Sequence, residues 1–141
     1  MLSNLIYTSK RSSFCTDKEI DSILEACERN NSHKSITGVL LYSENLFIQY
    51  LEGGKEELMQ LYDKIKTDDR HNDVVIISSR QINKRIFPGW SMGRKNLDKN
   101  SLNSIGKNCS FENKEELDET LRVQNNEELI STMHKLFVSA L

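Results

Sequence analysis

A chain of 141 residues fits one domain with a short appendage and excludes a large multidomain enzyme. With 19 basic against 21 acidic residues and a net charge of -2, it lacks the global positive field that tracks a phosphate backbone, so nucleic acid is not an expected partner. Only 37% of residues are hydrophobic and 28% are charged, yet one proline and six glycines are too few for a disordered chain, which leaves a lean, polar globular domain.

Residues 4–9, NLIYTS, read as a short strand. Over 17–31, Ile20, Ile23, Leu24 and Cys27 recur at helical spacing, with Thr16 as N-cap and Glu19 three residues on, a capping-box pattern. ITGVLLYS (36–43) and LFIQYLEG (46–53) are β-rich runs separated by Glu44 and Asn45, the spacing of a tight hairpin, and Gly53 and Gly54 close the second run. Leu58, Leu61, Tyr62 and Ile65 predict a helix from Lys55 to about Lys66. The polar stretch TDDRHND leads into a strand, VVIISSRQI (74–82), and Pro88-Gly89 breaks the chain ahead of a fifth strand in WSMGRKNL.

This order predicts an α/β (α+β) fold: a ferredoxin-like βαββαβ sheet with one extra strand and two helices covering one face. Residues 1–97 form that domain, and 98–141 read as a C-terminal helical appendage, polar and without an obvious strand. Leu129, Ile130, Met133, Leu136, Phe137 and Leu141 make an apolar face behind a cap-like Asn125 and Glu128 pair. That face must be buried, either on the bare side of the sheet or against another copy of the chain.

Cys15, Cys27 and Cys109 are odd in number and form neither a CxxC pair nor a zinc-ligand pattern, so free thiols are expected and no metal. The N-terminal apolar stretch is too short for a signal peptide and no run approaches the length of a membrane span. A cytoplasmic, reducing setting away from the membrane follows.

Three residues fit a plain fold poorly. Gln49 shares strand parity with Phe47 and Leu51, so an uncharged carboxamide points with them into an apolar region, where it needs partners. Tyr7 shares parity with Leu5, and in a ferredoxin-like sheet the first and third strands are neighbours, so Tyr7 and Gln49 are expected to face one space. Asn31 ends the first helix in the pair Asn30-Asn31. Taken singly, each has an ordinary explanation: a tyrosine reaching solvent, a strand-edge glutamine, a helix-terminating asparagine.

Taken together, LIYTS, NNSHKSITGVLLY, FIQYLEG, DDRHNDV and FPGWSM resemble, in order and spacing, the BLUF domain, a flavin-binding blue-light sensor. The resemblance covers about residues 2–97. It implies FAD held non-covalently between the two helices, with FMN the alternative that sequence leaves open. It places Tyr7 at the photoactive tyrosine, Gln49 at the switching glutamine and Asn31 at the asparagine that bonds the flavin's pyrimidine edge. Asn30 and Ile23 fall near the ring, Arg70 and His71 on the ribityl-phosphate side, and Trp90 and Met92 on the last-strand residues that approach the glutamine. Following Asp68 and Asp69, Arg70 and His71 equally fit a solvated charge cluster, and the role of Cys27 stays open.

The residue types suit such chemistry. A phenol supplies an electron and a proton together, while a carboxamide carries an acceptor and donors on opposite arms. Rotation or tautomerisation of Gln49 after illumination would give the flavin carbonyl a new hydrogen bond and shift absorption to the red. The expected function is therefore a photoreceptor, not an enzyme, whose tail passes the signal to a downstream protein. Self-association is also expected, as short proteins of this family commonly self-associate. The alternatives are a small acylphosphatase-type hydrolase using Arg70, His71 or Asn31 on an oxyanion, and a light-independent interaction module. The hydrolase lacks a glycine-rich phosphate loop after the first strand.

Overall fold

A computed structural model of the chain describes residues 2–88, 93–96 and 114–123, with short helical stretches at 127–128, 130–131 and 134–135. Side chains at 27, 28, 30–34, 94, 95, 116, 117, 120 and 123 fall outside the description. Strand β1 (Leu2–Arg11) leads into helix α1 (Asp17–Lys34), then β2 (Thr37–Tyr42), β3 (Leu46–Gly54), helix α2 (Lys55–Ile65), β4 (His71–Gln81), β5 (Gly93–Asn96) and helix α3 (Lys114–Val123). The sheet order is β4-β1-β3-β2-β5, with β5 parallel to β2 and the other pairs antiparallel. This is the expected ferredoxin-like arrangement, its extra strand placed beside β2.

Local chemistry accounts for the elements. The Glu19 amide donates to Thr16 Oγ1 at 3.3 Å, and Asp17 and Glu19 in the first turn of α1 complement the helix dipole. Ser35, at φ 56°, takes the left-handed conformation just past the end of α1. The Ser43 amide bonds Leu46 O at 2.9 Å across Glu44 and Asn45, closing the β2–β3 hairpin.

Strand alternation sends the sheet's side chains into two cores. Leu5, Tyr7, Leu40, Phe47 and Leu51 face the helices and pack with Ile20, Leu24 and Leu58. On the other face Ile6, Val39, Leu41, Ile48 and Tyr50 pack with Phe87 and with Leu121 and Ile130 of the tail. Of the two burial modes open to the tail's apolar residues, Ile130 thus uses the bare face of the sheet. The other predicted residues of that face, Leu129, Met133, Leu136, Phe137 and Leu141, lie outside the described residues, as does Asn125.

The larger differences from the sequence expectation lie at the ends of β1, α1 and β4. Strand β1 spans Leu2–Arg11 rather than 4–9, and α1 continues to Lys34. Strand β4 begins at His71, not Val74, because His71 and Asn72 pair with Arg11 and Lys10 of β1. As the sheet-edge strand it carries outward polar residues, which hide its β character from pattern reading. Strand β5 is described only from Gly93, so the first part of WSMGRKNL, with Trp90 and Met92, lies outside the described residues.

Candidate functional site

Tyr7 and Gln49 are direct cross-strand partners in the β1–β3 ladder, and Leu40 faces Gln49 from β2. The three side chains therefore form one row across the centre of the sheet on its helix-covered face. Tyr7 and Gln49 are each 4% exposed, and the Tyr7 hydroxyl donates to Gln49 Oε1. The buried amide thereby finds the partner it requires.

Above this row lies a cleft between the helices. Tyr7, Gln49, Leu40 and Phe47 form its floor, Ile23 of α1 and Leu61 and Ile65 of α2 its walls, and Asp68, Arg70 and His71 its polar end. Tyr7 is flanked edge-on by Tyr62 at 6.2 Å and by His71 at 6.3 Å between ring centroids. Phe47 also meets His71 edge-on, at 6.1 Å between ring centroids. Apolar walls with donors and acceptors confined to the floor and one end suit a planar heteroaromatic ring carrying a polar, anionic tail.

All three groups at the polar end are already engaged within the chain. Arg70 Nε donates to both oxygens of Asp68, at 3.0 and 3.1 Å. This hydrogen-bonded guanidinium holds the Asp68 carboxyl below the usual carboxylate range. His71, 9% exposed, is held by Ser9 Oγ at its Nδ1 and by the Ile65 carbonyl at its Nε2. A carbonyl only accepts, so Nε2 carries the proton and, in the neutral ring, Nδ1 accepts from the Ser9 hydroxyl. Arg70 thus shares the charge-cluster character its acidic neighbours suggested, whereas His71 is a buried strand residue.

Of the residues singled out in the sequence, Tyr7, Ile23, Gln49, Arg70 and His71 come together at this cleft. Asn30 and Asn31 lie in the last part of α1, but their side chains, and that of Cys27, are outside the described residues. The lining residues that sequence reading did not single out are Leu40, Phe47, Leu61, Ile65 and Asp68. Phe47 carried a signal in its parity with Gln49, and Leu61 and Ile65 in their helical spacing.

A family model, BLUF: Sensors of blue-light using FAD, matches residues 2–93. The chain belongs to the BLUF family. The BLUF match accounts for the cleft: the family binds FAD, and the apolar walls and polar floor seen here fit a flavin ring. Among curated proteins, the chain is 38% identical over 92 residues to photoactivated adenylate cyclase subunit beta of Euglena longa, covering 64% of this chain and 11% of that protein. It is 35% identical over 75 residues to the blue light- and temperature-regulated antirepressor BluF of Escherichia coli (strain K12), covering 53% of this chain and 19% of the relative. The chain therefore spans a small fraction of these relatives' lengths. Two solved BLUF structures match nearly end to end. The dark-state structure of BlrB, a BLUF protein, gives a TM-score of 0.74 at 25% identity over 99% of this chain and 97% of that one. The ground state of BlsA gives 0.79 at 26% identity over 98% and 89%.

The hydrolase alternative is not favoured by this BLUF setting. The Ser9–His71 contact resembles a nucleophile–base pair, but Ser9 is fully buried and does not line the cleft. Among the described residues there is no cluster of three or more side chains that could hold a metal ion, and no helix long and apolar enough to cross a membrane.

Proposed function

We propose that this BLUF chain reports blue light through the Tyr7–Gln49 hydrogen bond and passes the change to another protein, without turnover of a substrate. The observation that carries this reading is the direct cross-strand pairing of the two residues, with the phenol donating to Oε1 on the floor of the cleft. Bound flavin supplies absorption of blue light and an excited state that oxidises a nearby phenol.

Within the chain, Tyr7 Oη holds the proton of this bond and Gln49 Oε1 receives it. When the bond is lost, the carboxamide is released to turn about its terminal torsion, which changes where its N–H arm can donate into the cleft. Ile23, Leu61 and Ile65 exclude water from that exchange, and Arg70 provides positive charge for the cofactor's phosphates. Each hydrogen bond exchanged is worth about 0.5–1.5 kcal/mol net, enough to bias only an element already near balance. The assignments of Asn30, Asn31 and Ile23 to the ring, and of Trp90 and Met92 to the relay, rest on the BLUF resemblance. So does the division into a sensor at 1–97 and an output tail at 98–141. A cytoplasmic setting is supported by Cys15, which is free and buried.

The test is a pair of variants. Tyr7→Phe and Gln49→Leu should each retain flavin and lose the light-induced red shift. A wild-type-sized shift in either one contradicts the reading.

A further inference from the structure

The pairing of β1 with β4 is regular except at two places, and these bracket Tyr7 and Thr8. Ile6 pairs with Ser78 but Tyr7 with Ile76, and Thr8 pairs with Val75 but Lys10 with Asn72. In each case β4 carries one extra residue, the signature of a β-bulge, which re-aims side chains and frees backbone groups. Asp73 lies in the second bulge at φ 52°, a left-handed conformation rarely adopted inside a strand.

Helix α3 attaches to the sheet at these irregular points. Lys114 bridges Asp118 at 2.6 Å and Asp73 at 3.6 Å, with only 3% of its side chain exposed. Thr8 Oγ1 donates to the other oxygen of Asp118. One turn further along, Arg122 donates to the carbonyl of Ile76, the β4 partner of Tyr7, at 3.0 Å. A buried ion pair is a poor source of net stability compared with apolar packing, and its best-attested use is to fix one register among several. Here it selects one seat for α3, directly behind the tyrosine. Tyr7 and Thr8 are adjacent on β1 with side chains on opposite faces, so a displacement of the strand at Tyr7 is delivered to Thr8 and its partner Asp118.

We propose that Thr8, Lys114 and Asp118 are positioning residues for the light response, latching α3 to the bulged segment behind Tyr7 so that α3 docking and the Tyr7–Gln49 state are coupled. This inference rests on the switching role given above to Tyr7 and Gln49. Coupling between two sites is reciprocal: if the switch loosens the latch, weakening the latch favours the lit arrangement. The Thr8–Asp118 bond belongs to the arrangement in which Tyr7 donates to Gln49, and in this proposal it re-forms before the barrier of the return, so its loss slows recovery.

The experiment follows dark recovery of the red-shifted absorption in flavin-loaded protein, together with hydrogen exchange over 114–123 in dark and light. Thr8→Val keeps the shape and removes the hydroxyl, and should slow recovery by about three- to tenfold, the worth of one buried hydrogen bond. Thr8→Ser restores the hydroxyl and should recover within about twofold of wild type, a rescue that packing alone does not produce. Asp118→Asn should slow recovery in the same direction, and carries the test if Thr8→Val fails to bind flavin. In wild type, exchange over 114–123 should rise in the light. Recovery of Thr8→Val and Asp118→Asn at the wild-type rate, or exchange over 114–123 that ignores light, overturns the coupling while leaving the switch standing. A wild-type protein with no red shift overturns the switch and the coupling with it.

Discussion

The Tyr50 hydroxyl donates to Glu52 Oε2 at 3.0 Å, with both residues fully buried on the same face of β3. The same carboxylate accepts from the backbone amides of Ile86, at 3.0 Å, and Phe87, at 2.6 Å, and from Thr37 Oγ1 at 3.2 Å. Arg85 closes the cluster on the Thr37 hydroxyl and the Glu52 carbonyl, at 2.9 and 3.0 Å. One buried carboxylate, three residues from Gln49, therefore ties the segment that follows β4 onto the sheet.

Glu52→Gln should destabilise the protein by about 2 kcal/mol, because the amide turns two donors toward a site built from donors. Urea unfolding measures this as a lower midpoint at unchanged slope. A midpoint equal to wild type would mean the carboxylate does not hold the 85–87 segment.

Tyr50 also sets an alkaline limit. Burial, reinforced by the Glu52 charge, pushes its phenol well above the ordinary value. A folded pKa above the unfolded one gives stability that is complete below about pH 10 and is lost as pH rises through the folded value. Unfolding midpoints at pH 8 to 11 should fall more steeply in wild type than in Tyr50→Phe. Parallel curves would contradict this.

Asp68 has the opposite sign. Its carboxyl is held low by the Arg70 hydrogen bonds, so the pair contributes stability above the ordinary carboxylate pKa of about 3.9, which is lost as pH falls through the depressed value. Both side chains are partly exposed, and solvent screening keeps the contribution small. Arg70→Gln should move the Asp68 titration midpoint, followed by NMR, up toward the ordinary value. An unmoved midpoint would show that Arg70 is not the cause.

Gly38 faces Leu51 in the β2–β3 ladder, and a Cβ built on it would lie 2.0 Å from the Tyr50 carbonyl oxygen. That contact is with backbone and has no cheap relief. Gly38→Ala should cost about 3 kcal/mol or more in urea unfolding. A loss below about 1 kcal/mol would mean that the two strands separate more readily than the ladder indicates.

The fold was largely legible because most of its elements carry a period. Ile20, Ile23 and Leu24, and likewise Leu58, Leu61 and Ile65, mark helices by spacing alone, and the Glu44-Asn45 gap marks the hairpin. Gln49 stood out as a carboxamide inside an apolar run. What escaped notice depends on distant partners. His71 begins an edge strand through pairing with Arg11, and no local pattern announces it. Thr8 and Asp118 meet across 110 residues, so each reads as an ordinary surface residue until the sheet and α3 come together. Glu52 looks like a strand-end charge, and only the return of residues 86 and 87 makes it a buried acceptor.

The most direct measurement is the absorption spectrum of the purified protein before blue light, under it, and after return to darkness. The account predicts a yellow protein with a flavin band that shifts slightly to the red on illumination and reverts thermally, with the cofactor retained throughout. A colourless protein after gentle purification, or a bound flavin whose spectrum does not change under blue light, would contradict it.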